Sequence, residues 1–291
     1  MVVPGLVLAL VALAAAPHAQ APRPLPDPTV LRREVRARLQ IDDARQRDYI
    51  YTETERRLIV DGHGRTREEH VTVTESYPGL PGKPRWERRL SEDGHMVPAA
   101  ELAKHDRERQ EEAEAYLKKR ARMTKAELDD ERRDHEKHKQ EQSAIIDDAF
   151  RVFVFTMTGR ERVGGVETIA LTIEPRRDVK TETRQGGWAK HFRGKAWISE
   201  SDYELARLDM EAIDTLSLGL GVLARLHEGS TVSFERRRMD DGVWLPARAA
   251  VVASARVLLL KHLRRNTVTE YSGYRRFGVA TSATYDVPAT R

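Results

Sequence analysis

Residues 192–211 read FRGKAWISESDYELARLDME. In two runs, Phe192-Gly194-Ala196-Ile198 and Ala206-Leu208-Met210, every second side chain is small or apolar, and mostly Arg, Lys, Glu and Asp fall between them. Alternation with period two turns one set toward the interior of an antiparallel sheet and the other toward water. Between the runs, Glu200-Ser201-Asp202 supplies short polar side chains that bond their own backbone and favour a tight reversal. The stretch is expected to be a β-hairpin, with Ala196, Ile198, Ala206, Leu208 and Met210 facing one concavity.

Outward from this hairpin the same pattern repeats. Strands are expected over Tyr49–Val60 and Thr66–Tyr77, joined through Asp61-Gly62-His63-Gly64, where glycine accepts the positive φ of a tight turn. Three prolines make 77–84 a loop, because proline cannot donate to a central strand. A second hairpin, 85–97, turns at Asp93-Gly94. Further strands read over 150–157, 166–174, 231–237, 243–246, 247–257 and 267–277, with Gly186-Gly187-Trp188 as a loop. Short turns between strands imply antiparallel pairing rather than βαβ crossovers. Ahead of the strands, Val30, Leu31, Val35, Leu39 and Ile41 are spaced as the buried stripe of an amphipathic helix.

Residues 99–147 differ in kind: dense in both signs of charge, with few apolar side chains, they read as two solvated helices. The break falls at Thr124-Lys125-Ala126-Glu127, which fits a capping box. The segment is either a structural insertion or a charged arm that meets a partner or a membrane. The organisation expected is a signal peptide (1–19), a Pro-rich linker (20–28), a first helix and strands (29–98), the insertion (99–147), the remaining strands (148–280) and a tail (281–291).

The chain opens MVVPGLVLALVALAAAPHAQ, whose apolar core 6–16 is too short to span a bilayer and reads as a secretory signal, cut after Ala19 or Ala21. The address is periplasmic or secreted, with no transmembrane segment after signal removal. The absence of cysteine excludes disulfides, thiolate metal sites and a cysteine nucleophile. With 50 basic and 46 acidic residues and a net charge of +4, most of the charge is expected simply to solvate the surface. No nucleic-acid partner is expected.

No motif announces a chemistry. Gly219-Leu220-Gly221-Val222-Leu223-Ala224 has the spacing of a dinucleotide fingerprint, but that chemistry needs a βαβ unit and the flanking segments read as hairpins. His135 and His138 stand three apart, where a zinc-binding helix sets its histidines four apart. His63, His70 and His95 lie near two hairpins without tight spacing. The protein is expected to be non-enzymatic, with no catalytic residue, metal or cofactor. Trp188, Phe192, Trp197 and Trp244 surround the central sheet, either as ordinary core or as the lining of an apolar cavity. A curved sheet crossed by a helix holds a ligand when its interior is incompletely filled. The ligand-binding residues expected are Phe192, Ala196, Ile198, Leu208, Met210 and Trp244.

FRGKAWISESDYELARLDM, with the later GSTVSFERRRMDDGVWLPARAAV and EYSGYRRF, resembles the bacterial lipoprotein-carrier and outer-membrane lipoprotein-sorting proteins, mainly over 150–277 and more weakly over 30–97. The resemblance implies an α+β, mainly antiparallel fold: an unclosed, curved β-barrel whose mouth is covered by helices, here with a charged helical insertion. It implies a lipid- or lipoprotein-binding carrier whose partners are an acyl chain or lipoprotein. The alternative is an envelope interaction or stress-sensor module with a filled core and an arm that binds an envelope protein. The address has a direct check: N-terminal sequencing of protein from the exported fraction should begin near Gln20, and recovery only of cytoplasmic protein retaining Met1 refutes it.

Overall fold

The computed structural model describes residues 23–61, 63, 65–80, 83–217, 225–257 and 261–277. The signal sequence, the Gly219-to-Ala224 motif and the 281–291 tail lie outside them.

Helix α1 (Pro28–Gln46) starts where local chemistry favours it. The Asp27 carboxylate accepts the N–H groups of Thr29 and Val30 at 2.8 and 3.0 Å, and Pro28 takes the first position, where an N–H is not needed. Hairpin strands follow: β1 (Tyr49–Val60), β2 (Thr66–Tyr77), β3 (Trp86–Glu92) and the short β4 (His95–Met96). Helices α2 (Ala99–Arg120) and α3 (Lys125–Val152) are separated at Thr124, whose hydroxyl accepts the Glu127 N–H while the Glu127 carboxylate accepts the Thr124 N–H. Then come β5 (Phe153–Val163), β6 (Val166–Pro175), helix α4 (Arg184–Ala189), β7 (Phe192–Ser199), β8 (Leu205–Ala212), β9 (Leu216–Ser217), β10 (Arg225–Leu226), β11 (Thr231–Arg238), β12 (Trp244–Val257) and β13 (Lys261–Arg276).

Eleven strands form one antiparallel sheet in the order β4-β3-β2-β1-β13-β12-β11-β8-β7-β6-β5, and β9 pairs with β10 alone. The edges β4 and β5 do not meet, so the sheet is unclosed, as expected. Three local readings change. Phe150 lies in the last turn of a helix rather than opening a strand, because α3 runs on to Val152. The Gly186-Gly187-Trp188 loop is a helical turn capped by the Thr183 hydroxyl, and Gly186 packs so closely on Asp148 that a Cβ would lie 2.3 Å from its Oδ2. Residues 244–257 form one strand, with Pro246 beside the β11–β12 register shift, a place where a sheet tolerates proline.

Two apolar clusters cover different parts of the sheet. One gathers Leu31 and Val35 of α1, Phe150, and Ile169, Leu171, Ile173, Ala196 and Ile198 of β6 and β7. The other, on β1, β12 and β13, joins Tyr49, Tyr51 and Leu245 to Tyr271 and Tyr274. Ile41 of the expected helix stripe is exposed, because Leu31, Val35 and Leu39 already define the buried face at four-residue spacing and Ile41 falls off it. The far end of α1 is tied to the sheet by charge. Arg236, almost wholly buried, donates to Asp42, to Glu204 at 3.3 Å and to the Trp244 carbonyl at 2.7 Å, and Arg45 reaches the same Glu204 at 2.6 Å. Burial pushes the Glu204 carboxyl up, and Arg236 beside it pulls back.

Asp148, fully buried, joins α3 to α4. Its carboxylate accepts the Glu182 N–H at 2.9 Å, the Thr183 N–H and hydroxyl at 2.7 Å each, and Arg151 at 2.6 Å. Burial alone raises such a group; the Thr183 and Glu182 donors, with Arg151, outweigh it and hold the carboxyl below its ordinary value. A depressed carboxylate stabilises the fold fully above its unfolded pKa of about 3.9 and loses that contribution as pH falls through the lower folded value. Asp148→Asn should therefore cost roughly 2 kcal/mol or more at neutral pH and show a weaker loss of stability below pH ~4 than the parent, both read by urea unfolding.

Candidate ligand-binding site

Between α1 and the sheet face of β5 to β8 lies a cavity of about 730 Å³. Its roof is Leu31, Val35 and Leu39 of α1. One wall is Phe150, Phe153, Phe155 and Met157, where α3 passes into β5, and the floor is Leu171, Ile173, Ala196, Ile198, Leu205, Leu208 and Met210. Phe150 and Phe155 meet at a tilt of 44° with ring centres 5.4 Å apart, and Phe155 meets Phe153 edge-on, so the aromatic wall is internally braced. The polar side chains of the lining are Thr29, Arg32, Thr156 and Arg176, all exposed, and they mark the mouth together with exposed Leu25 and Val154.

Leu25 belongs to a segment ahead of α1 that is held against the edge strand. Arg160 donates to the Pro24 carbonyl at 2.8 Å and to the Arg23 carbonyl, and pairs with Glu200 at 2.7 Å. This strap brings Leu25 and Pro28 to the opening.

Of the six binding residues expected from sequence, Ala196, Ile198, Leu208 and Met210 line this cavity. Phe192 and Trp244 do not. The lining stops at Met210, whose sulfur lies 2.7 Å from where a Cβ on Gly194 would sit; Phe192 is one step further along the same face. Trp244 is fully buried elsewhere, its indole N–H donating to Asp202 at 3.0 Å. Ala206, expected on the same concavity, is buried but does not line it. The β7–β8 register shifts between Trp197 and Ile198, pairing Ile198 with Leu205, and a bulge of one residue reverses which side chain faces inward. Trp197 takes the opposite face, with its N–H on Glu161 at 2.7 Å and the Arg207 guanidinium 5.0 Å from its ring centre.

The roof was visible in sequence as a buried helical stripe without sign that it covered a hollow. Arg32, Arg176 and Leu25 carried no sequence signal, since only tertiary placement brings them to one opening.

Neither histidine grouping forms a metal site: among the described residues no group of three or more His, Asp or Glu is placed to hold an ion. His70 bonds Asp93 at 3.0 Å, and His138 lies on the exposed face of α3 beside Glu141. No helix among the described residues is long and apolar enough to cross a membrane.

An open antiparallel sheet with a helix laid over an apolar hollow defines a half-barrel. No family model matches the sequence, and no curated protein matches it. Among solved structures the chain is similar to a DUF1329 family protein from Desulfovibrio piger, at 13% identity and a TM-score of 0.34 over 88% of this chain and 99% of that one. It is similar also to a putative outer membrane lipoprotein-sorting protein domain from Vibrio parahaemolyticus (10%, TM-score 0.33, 88% and 95%) and to a LolA superfamily protein from Nitrosomonas europaea (9%, TM-score 0.31, 85% and 94%).

Side chains that border a hollow have fewer neighbours to lose than those in packed core. Ile169, fully buried on β6 and outside the lining, should cost about 4 kcal/mol on truncation to alanine, whereas Leu208→Ala should cost about 2 kcal/mol or less. Urea midpoints compare the two; equal costs would mean that the space beneath α1 is packed.

Proposed function

We propose that the protein is an exported, non-enzymatic carrier that binds the acyl chain of a lipid or lipoprotein beneath α1. The observation that carries this reading is the cavity itself: about 730 Å³, apolar apart from the four side chains at its mouth. That volume is in the ordinary range for small-molecule sites, roughly 300–1,000 Å³. An interior of Leu, Ile, Val, Phe and Met offers an alkyl chain dispersion contacts and relief from water, and offers a polar metabolite no hydrogen-bond partner. The floor is sheet, and the roof is one helix anchored at its far end where Asp42 meets Arg236 and Arg45 meets Glu204, so a ligand enters past the strap and the start of α1.

The second reading is an envelope interaction module. It is favoured by α2, which buries no residue along its 22 positions and presents Lys118, Lys119 and Arg120 in its last turn. The two readings part over the cavity, which a module has no need to leave open.

Titration with saturated fatty acids of increasing length tests the carrier. Each methylene that enters the cavity should add about 0.8 kcal/mol, close to fourfold in affinity, until the space is filled. Leu208→Arg, which sets a charge on the floor, should abolish binding while thermal melting shows the fold intact. Uptake indifferent to chain length, or none by the parent protein, leaves the interaction module ahead.

A further inference from the structure

We propose that the mouth of the cavity selects amphiphiles with an anionic head, a carboxylate or phosphate joined to the acyl chain; this rests on the acyl-binding reading above. The chain nearly balances 50 basic against 46 acidic residues, yet the cavity lining holds two arginines and no carboxylate. Both arginines are exposed at the opening, where the head of a bound amphiphile must lie once its chain is inside.

Three other arginines, of α1, α3 and β5, are paired with carboxylates. Arg36 pairs with Asp147, Arg151 with Asp148 and Glu182, and Arg160 with Glu200. Arg32 and Arg176 have no carboxylate partner among the described residues. Arg32 is nevertheless fixed in place: it donates to the Phe150 carbonyl at 2.6 Å, and its guanidinium carbon stands 5.5 Å from the Phe150 ring centre. That single bond leaves further guanidinium donors for a ligand. Arg176 is rooted by its backbone N–H on the Val152 carbonyl at 2.7 Å, and its guanidinium has no hydrogen-bond or ion-pair partner among the described residues. A planar fork of donors matches the oxygens of a carboxylate or a phosphate.

The experiment is calorimetric titration of the full chain, at neutral pH and low salt, with three probes of one chain length: dodecanoate, dodecyl phosphate and dodecanol. Both anions are expected to bind about tenfold or more tightly than the alcohol, with an advantage that shrinks as salt is added. Arg176→Gln should remove much of that advantage and leave dodecanol unchanged, and Arg176→Lys should restore part of it. Because Arg176→Gln removes no internal contact, it carries the test by itself. Arg32→Gln, which also frees the Phe150 carbonyl, is compared only where melting is unaltered, and the double variant should bind all three probes alike. Tighter binding of the phosphate points to phospholipids as the natural source, and tighter binding of the carboxylate to free fatty acids. Equal affinity for the three probes in the parent protein overturns the head-group selection and leaves the acyl reading standing. No binding of any probe overturns both.

Discussion

A sheet whose inner face carries Leu171, Ile173, Ala196, Ile198, Leu208 and Met210 cannot leave that face in water, and covering it is the constraint on which the rest of the molecule depends. A sheet closed on itself hides such a face without help, but β4 and β5 do not pair, so the cover comes from outside. Helix α1 supplies it with one row of side chains. A single helix is narrower than four strands, and the difference in width remains as the cavity. The hollow thus follows from the geometry of the cover rather than from any one substitution.

Fastening that cover calls for interactions that do not themselves fill the hollow. At its far end they are ionic, with Arg236 and Glu204 buried among Asp42, Arg45 and the Trp244 carbonyl. A buried charge left unpaired is far costlier than the pair is stabilising, so the cluster specifies one seating of α1 more than it adds stability. Its near end is seated by Leu31 and Val35 in the apolar cluster, and only the strap ahead of it is held at the surface, by Arg160 on backbone carbonyls. Surface contacts of this sort are weak and open readily. The loosest part of the cover is therefore the strap, which stands over the mouth.

Sequence periodicity located most of this architecture because alternation and four-residue spacing are local consequences of burial. Ala196, Ile198, Leu208 and Met210 followed from it directly. Ala206 did not, since a bulge changes the phase of a strand without altering its composition. Phe192 and Trp244 show a second limit: apolarity signals that a side chain seeks the interior, not which of two interiors receives it. Trp244 instead lies beside Leu245, which belongs to the tyrosine-rich cluster. The mouth was the least legible part. Arg32 and Arg176 differ from dozens of other basic residues in standing at the rim of an apolar hollow, and that is settled by parts of the chain remote from both.

The order of strands bears on how such a molecule comes to be folded. β1 finds one neighbour at once in β2, but its other neighbour is β13, with Val60 opposite Arg264 and Tyr49 opposite Arg276. Arg275 and Glu75, which pair across this join, stand 200 residues apart in sequence. Closing a chain segment of that length is entropically unfavourable until many contacts form together, so pairing of this kind is slow. Until β13 is made, β1 presents a bare edge of unpaired amides and carbonyls, and the two halves of the sheet exist as separate hairpin arrays. An open strand edge is a template for other chains, which makes the interval before β13 docks the period in which this protein is most exposed to aggregation and most in need of a chaperone.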